Sequence, residues 1–267
     1  MTTAEQGPTA SPGVTLDVDD DFVATIELHR PPHNFFSIPL LLEVCDALDA
    51  VAADPDARAV VLCSEGRNFC AGAEFGGDRT PGDAASGGPD LHLYDLAVRI
   101  FASPTPIVAA LNGAAIGGGL GLACAADFRV GGPGSRLSAN FARLGFHHGF
   151  GLSVTLPAIV GNQRALELLY TGRRIDGPAA AEIGLLDRLV DDERIRAEAH
   201  DLAAEIAASA PLAVASIRAT MRGHLPDAIR AATDRERAEQ ERLGATNDWR
   251  EGVAAMAERR DPNFTGT

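Results

Sequence analysis

Two glycine-containing turns, each placed after an apolar strand-like run, constrain this chain most. The run at 58–63 leads to Cys70-Ala71-Gly72-Ala73-Glu74. The run at 106–111 leads to Asn112-Gly113-Ala114-Ala115-Ile116-Gly117-Gly118-Gly119-Leu120. Peptide N–H groups at the start of a helix lack intrahelical partners and lie along the positive end of its dipole. Two such donors meeting at one carbonyl oxygen stabilise a developing oxyanion, each contributing roughly 3 kcal/mol. Glycine permits the close backbone approach and positive φ that such turns need. The same Gly117-Gly118-Gly119 also suits plain strand-to-helix packing, so the glycines alone leave both roles open.

The 267 residues allow one large domain or two small ones, with a sizeable core. Net charge is 23 − 37 = −14, which argues against nucleic acid and against an anionic membrane surface as partners. All 23 basic residues are arginines. A Schiff base or lysine nucleophile is therefore excluded, as is a P-loop phosphate site. Cys45, Cys63, Cys70 and Cys124 form no C-x-x-C pair, and no secretory leader is seen, so reduced thiols in a cytoplasmic protein are expected. No apolar run reaches the ~18 residues of a membrane span. No histidine and carboxylate cluster has metal-ligand spacing.

Residues 1–13 read as a flexible tail, and 14–19 with 22–29 as a hairpin around Asp19-Asp20-Asp21. Apolar spacing predicts a helix over 38–53, with Pro39 in its first turn. Buried strands are expected at 58–63 and 107–111, a helix at 91–102, a tightly packed helix at 118–126, and a short strand at 127–130. The Gly/Pro-rich stretch 76–90 reads as a mobile loop. Beyond about residue 150 the chain reads as helices: 150–160, 163–170, 178–184, 192–209, 212–222, 226–243 and 246–259. The charged run at 226–243 is read as an ion-pair surface. Strand–strand–helix units are compatible with this pattern, although no fixed-period repeat is visible.

Further segments extend the pattern of the turns. They include Arg30-Pro31 with Asn34, Arg67-Asn68-Phe69-Cys70-Ala71-Gly72-Ala73, and Pro106 through Gly113. Asp127-Phe128-Arg129, Leu144-Gly145, Leu169-Tyr170-Thr171-Gly172, Gly184-Leu185, Arg250-Glu251-Gly252 and Asp261-Pro262-Asn263-Phe264 follow in order. On these residues the chain resembles the crotonase superfamily, the enoyl-CoA hydratase/isomerase family, over nearly its whole length. The resemblance implies an α/β fold, a spiral of ββα units over 14–200, and a helical region over 201–267 that makes trimer contacts. It implies a homotrimer or dimer of trimers, an acyl-CoA thioester as substrate, and no cofactor beyond the coenzyme A of that substrate. Carried over by position, the oxyanion donors are the N–H groups of Ala73 and Gly118. Ala71 borders the adenine, Phe75, Gly76 and Gly117 border the ligand, and a neighbouring subunit's C-terminal helix offers Met256 and Arg259.

The departures are equally specific. The family's hydratases carry a glutamate just after the glycine run and another four residues before the Leu-Gly pair; here Gly121 and Phe141 stand there. Neither activates water nor delivers a proton. His147 and His148, ahead of Gly149-Phe150-Gly151, are acid/base candidates, since a helix N-terminus lowers a histidine pKa; they are equally readable as capping loop residues. Glu74, beside Ala73, is a further candidate. Acidic residues of the 76–90 loop, such as Asp78 and Asp83, are read as solvated. Arg30, Arg67 and Arg259 are candidates for the anionic coenzyme, or ordinary surface arginines. Cys70 is read as a small packing residue. Two functions remain open at this stage: an enzyme that stabilises a thioester enolate, by isomerisation, nonstandard hydration, decarboxylation or thioester cleavage; or an acyl-CoA-binding homologue without turnover.

Overall fold

The computed structural model describes residues 13–73 and 91–267; the expected 1–13 tail other than Gly13 lies outside them, as do Glu74, Phe75 and the 76–90 loop that begins at Gly76. β1 (Val14–Val18) and β2 (Val23–Leu28) make the expected hairpin, with Val14 opposite Leu28. Helix α1 (Ile38–Ala53) begins where Ser37 accepts from Leu40 N–H, and Pro39 sits in its first turn. β3 (Ala59–Ser64), α2 (Leu93–Phe101), β4 (Ile107–Leu111), β5 (Ala114–Ile116), α3 (Gly118–Ala125), β6 (Phe128–Gly131) and β7 (Arg136–Ser138) follow. After a 3-10 turn at Asn140–Leu144 come α4 (Leu152–Val160), α5 (Asn162–Thr171), β8 (Ile175–Asp176), α6 (Gly177–Glu182) and β9 (Arg188–Leu189). The chain closes with α7 (Ile195–Ala207), α8 (Pro211–Arg222), α9 (Leu225–Gly244) and α10 (Asn247–Glu258). No single helix among the described residues is long and apolar enough to cross a membrane.

Six strands pair in the order β1-β2-β3-β4-β6-β9, parallel from β2 onward, and three more in the order β5-β7-β8. β3 is buried from end to end, as a parallel strand covered on both faces must be. Its side chains alternate between two cores. Val60 and Leu62 join Ile107 and Leu111 in the main core, while Val61 and Cys63 join Val108 and Val130 beneath α7. The order β4-β5-α3 and then β6-β7-α4 repeats one unit: a strand in the large sheet, a strand in the small one, then a helix. This is the mixed α/β architecture expected, with helices gathered at the C-terminal end.

Two corrections follow. The three-stranded sheet was not anticipated, because its strands hold only two or three residues each and exist by pairing with distant segments. The boundary expected at 200/201 falls inside α7, whose Ile195, Ala199, Leu202 and Ala203 pack as one face on the large sheet. The break between sheet-covering and C-terminal helices lies instead at the turn before Pro211.

Candidate active site

The two glycine turns are stitched together by backbone hydrogen bonds. Cys70 N–H donates to Ala114 O at 2.9 Å, Ile116 N–H to Cys70 O at 3.0 Å, and Gly117 N–H to Ser138 O at 2.8 Å. Side chains are not tolerated in this seam: a Cβ at Gly119 would stand 2.1 Å from Cys70 O, and one at Gly113 1.9 Å from Arg67 O. Gly72 and Gly117 take φ of 91° and 57°, a region glycine enters without steric cost. Ala73 and Gly118 emerge on one cavity of about 810 Å³. Gly118 is the first residue of α3, so its N–H is one of the helix's unpaired donors. Ala71 and Gly117 line the same cavity.

The far wall is aromatic. Phe36, Tyr94, Phe141, Phe146 and Phe150 line it together with Leu93 and Leu144. Phe36 lies directly over Gly118, where a Cβ would come within 2.1 Å of its ring. Phe141 packs edge-on against Phe146 at 5.4 Å, and Phe146 against Trp249 of α10 at 4.5 Å. Gly121 does not line the cavity, contrary to expectation. It is buried behind Phe150, whose Cβ would stand 2.6 Å from a Cβ added there. Phe150 is itself held at φ 61°, a conformation that is rare for a bulky residue. The two positions where hydratases carry glutamates are thus a ring and the back of another ring.

His147 and His148 also lie outside the described cavity lining. Their rings stack on each other at 4.1 Å. His148 Nε2 is 2.8 Å from Ser153 Oγ, and that hydroxyl donates to Glu236 Oε1 at 2.7 Å. Glu236 is fully buried and also accepts from the N–H groups of Gly151 and Ser153 at the start of α4. Burial, and secondarily His147, pushes the His148 pKa down to about 4. The pair is neighboured by a structural carboxylate from α9 rather than by the cavity. Cys70 is buried, and desolvation lifts its thiol to about 11, which fits a packing role.

Of the candidate arginines, Arg259 lines the cavity, as does Met256, both within their own chain. Arg30 and Arg67 do not line it, and Arg30 faces Glu43 at 3.8 Å. Arg136 and Arg174 stand there instead. They were missed because neither adjoins a glycine turn in sequence; β7 and the start of β8 bring them in. Tyr94, Gln240 and Phe36 were missed for the same reason, and Phe150, although set between Gly149 and Gly151, gives no sequence signal that its ring reaches the cavity. Among the described lining residues there is no aspartate or glutamate. One acid–histidine group does assemble elsewhere: ligand atoms of Asp19, Asp21 and His200 lie within 4.8 Å of one another, with Asp19 already bonded to His200 at 2.6 Å.

The family model described as Enoyl-CoA hydratase/isomerase matches residues 19–267. A Bacillus subtilis protein named "Probable enoyl-CoA hydratase" is 33% identical over 253 residues, covering 92% of this chain and 96% of that one. The 1,2-epoxyphenylacetyl-CoA isomerase of Escherichia coli is 31% identical over 251 residues, covering 91% and 95%. The crystal structure of an enoyl-CoA hydratase/isomerase from Pseudoalteromonas atlantica superimposes with a TM-score of 0.84 at 28% identity, over 95% of this chain and all of that one.

Proposed function

Because the chain belongs to the enoyl-CoA hydratase/isomerase family, we propose that it holds an acyl-CoA thioester with the carbonyl oxygen between the N–H groups of Ala73 and Gly118. Enolate character developing at Cα is stabilised by those two donors. The observation that carries this reading is that both residues face one cavity, in backbone fixed by the hydrogen bonds between Cys70, Ala114 and Ile116. Arg136, Arg174 and Arg259 at the same cavity supply local positive charge for the anionic coenzyme in a chain of net charge −14. No cofactor beyond the coenzyme A of the substrate enters this scheme. The working form is a cytoplasmic homotrimer or dimer of trimers.

Glutamate-driven hydration is not the reaction we infer. A ring at Phe141 and the back of Phe150 against Gly121 replace the water-activating pair with apolar bulk. Isomerase or lyase chemistry through the same enolate fits the drier wall, and the E. coli relative is named as an isomerase of a CoA thioester.

The deciding measurement is deuterium uptake at Cα when the protein meets a panel of acyl-CoAs in heavy water, with products identified by mass spectrometry. Uptake or a shifted double bond is expected, without addition of solvent oxygen. The control is Gly118→Pro made in a Phe36→Ala background, which removes the donor while clearing the ring that would collide; it should abolish exchange. Tight binding with no exchange on any thioester would establish the second reading, an acyl-CoA-binding homologue, which the absence of a carboxylate among the described lining residues favours.

A further inference from the structure

The aromatic end of the cavity carries a pair of polar side chains. Tyr94, in the first turn of α2, and Gln240, on α9, both line it. The Tyr94 hydroxyl donates to Gln240 Oε1 at 2.7 Å, and Gln240 Nε2 donates to the His147 carbonyl oxygen at 2.8 Å. A carbonyl only accepts, so the second bond fixes which end of the amide faces Tyr94. The Tyr94 hydrogen is thereby committed to Gln240. Burial holds the phenol far above its ordinary range, so it stays protonated. That leaves lone-pair capacity on the Tyr94 oxygen as an acceptor and the second Gln240 Nε2 hydrogen as a donor.

Gly149 makes room for both atoms at the cavity wall. A Cβ there would stand 2.0 Å from Tyr94 Oη and 2.7 Å from Gln240 Nε2, and Gly149 lines the same cavity. The pair lies beyond two rings as seen from the thioester end: Phe36 covers Gly118, and Phe150, next to Gly149, is 6.0 Å from Phe36. An acceptor beside a donor is complementary to a hydroxyl, which donates and accepts at once. A ketone answers only the donor, and an alkyl or aryl C–H answers neither.

We propose that Tyr94 and Gln240 form a specificity site for a hydroxyl on the distal part of the acyl group, so that the substrate class is a hydroxylated acyl-CoA, the hydroxyl borne several bonds from the thioester on a ring or chain. This rests on the acyl-CoA reading above. A polar pair at the aromatic end of the pocket discriminates against ligands that leave its spare donor and acceptor unpaired.

The test is calorimetric binding to the full chain of matched ligands. One set is phenylacetyl-CoA and 4-hydroxyphenylacetyl-CoA; the other is hexanoyl-CoA and its 4-, 5- and 6-hydroxy derivatives. At least one hydroxylated ligand should bind about 10-fold more tightly than its parent, the scale of one well-made hydrogen bond. Which set responds tells ring from chain. Tyr94→Phe, which keeps the ring packing, should bring that pair within about twofold, and Gln240→Leu should do the same by removing the donor. Parents that bind while no hydroxylated ligand binds better would overturn the specificity site and leave the acyl-CoA reading standing. So would a preference that survives both substitutions. If no thioester binds at all, the acyl-CoA reading falls and the specificity site with it.

Discussion

Gly121 and Phe150 behave as one unit. Only the missing side chain at 121 lets the Phe150 ring lie where it does, and a Cβ at 121 would meet Phe150 through Cβ, Cγ and Cδ1, all within 2.9 Å. Gly121→Glu alone should therefore destabilise the fold by about 2–4 kcal/mol, from overpacking and a buried carboxylate. Adding Phe150→Ala should return part of that loss, with a coupling of about 1–3 kcal/mol in a double-mutant cycle measured by urea unfolding. Simple additivity would mean that the two side chains do not compete for the same space. His148 makes a second prediction at this scale. Its folded pKa is depressed to about 4 from 6.5, so the unfolded chain binds the extra proton between those values. The stability it contributes is complete above about pH 6.5 and lost as pH falls toward 4, on the order of 3 kcal/mol in all. Burial raises the Glu236 pKa and makes it act in the opposite sense, so the diagnostic quantity is a difference. His148→Gln, unfolded in urea across pH 4.5–7.5 and followed by the fluorescence of the single Trp249, should show a shallower rise of stability with pH than the parent. Equal slopes would place the titration elsewhere.

Helix α9 pins the segment that forms the aromatic wall. Glu236 and Gln240, one turn apart, hold Gly151, Ser153 and the His147 carbonyl. Glu236→Ala would strand the buried Gly151 N–H and remove the acceptor of the part-buried Ser153 N–H and hydroxyl, so a loss of about 2–4 kcal/mol in urea unfolding is expected; a loss below about 1 kcal/mol would show that α9 does not anchor the wall. Little of this was legible beforehand. The charges at 226–243 do make the exposed pairs anticipated, such as Arg237 with Glu241 at 2.9 Å, but nothing in the spacing marks Glu236 as the one turned inward. Elements with a continuous local pattern were legible: α1 by its apolar spacing, β3 and β4 as unbroken apolar runs and α3 as a run of small residues all fall within a residue or two of their expected bounds. The two- and three-residue strands carry no such pattern, since their stability lies wholly in partners far along the chain. The candidate site divides the same way. The glycine turns announce themselves through local backbone demands, whereas Phe36, Tyr94, Phe150 and Gln240 meet only in three dimensions. Buried cysteines sit on the legible side: desolvation raises Cys45 and Cys63 to about 12 and Cys124 to about 11. A disulfide-exchange reagent at neutral pH should label none of them in the native protein and all four after denaturation. Rapid native labelling would contradict the packing described.

For the molecule as a whole, α8 carries an inverted pattern. Its arginines turn inward: Arg218 Nε lies 3.1 Å from both oxygens of Asp127, and Arg222 Nη2 donates to Ala125 O at 2.7 Å. Asp127 in turn accepts from Ile107 N–H at 2.8 Å, which ties α8 to the start of β4. The apolar side chains face away, with Leu212 86%, Ile217 63% and Met221 68% exposed. A helix that spends its charges on its own sheet and presents leucine, isoleucine and methionine outward gains by being covered, and in the proposed trimer the cover is another copy of the chain. The purified protein should therefore run by light scattering at a multiple of its 27.8 kDa mass. Ile217→Glu with Met221→Glu should shift it toward monomer without loss of helix by circular dichroism, because the Arg218 and Arg222 anchors are untouched. A parent that is monomeric at tens of micromolar would end the trimer proposal. An assembly indifferent to both glutamates would move the contact to another face.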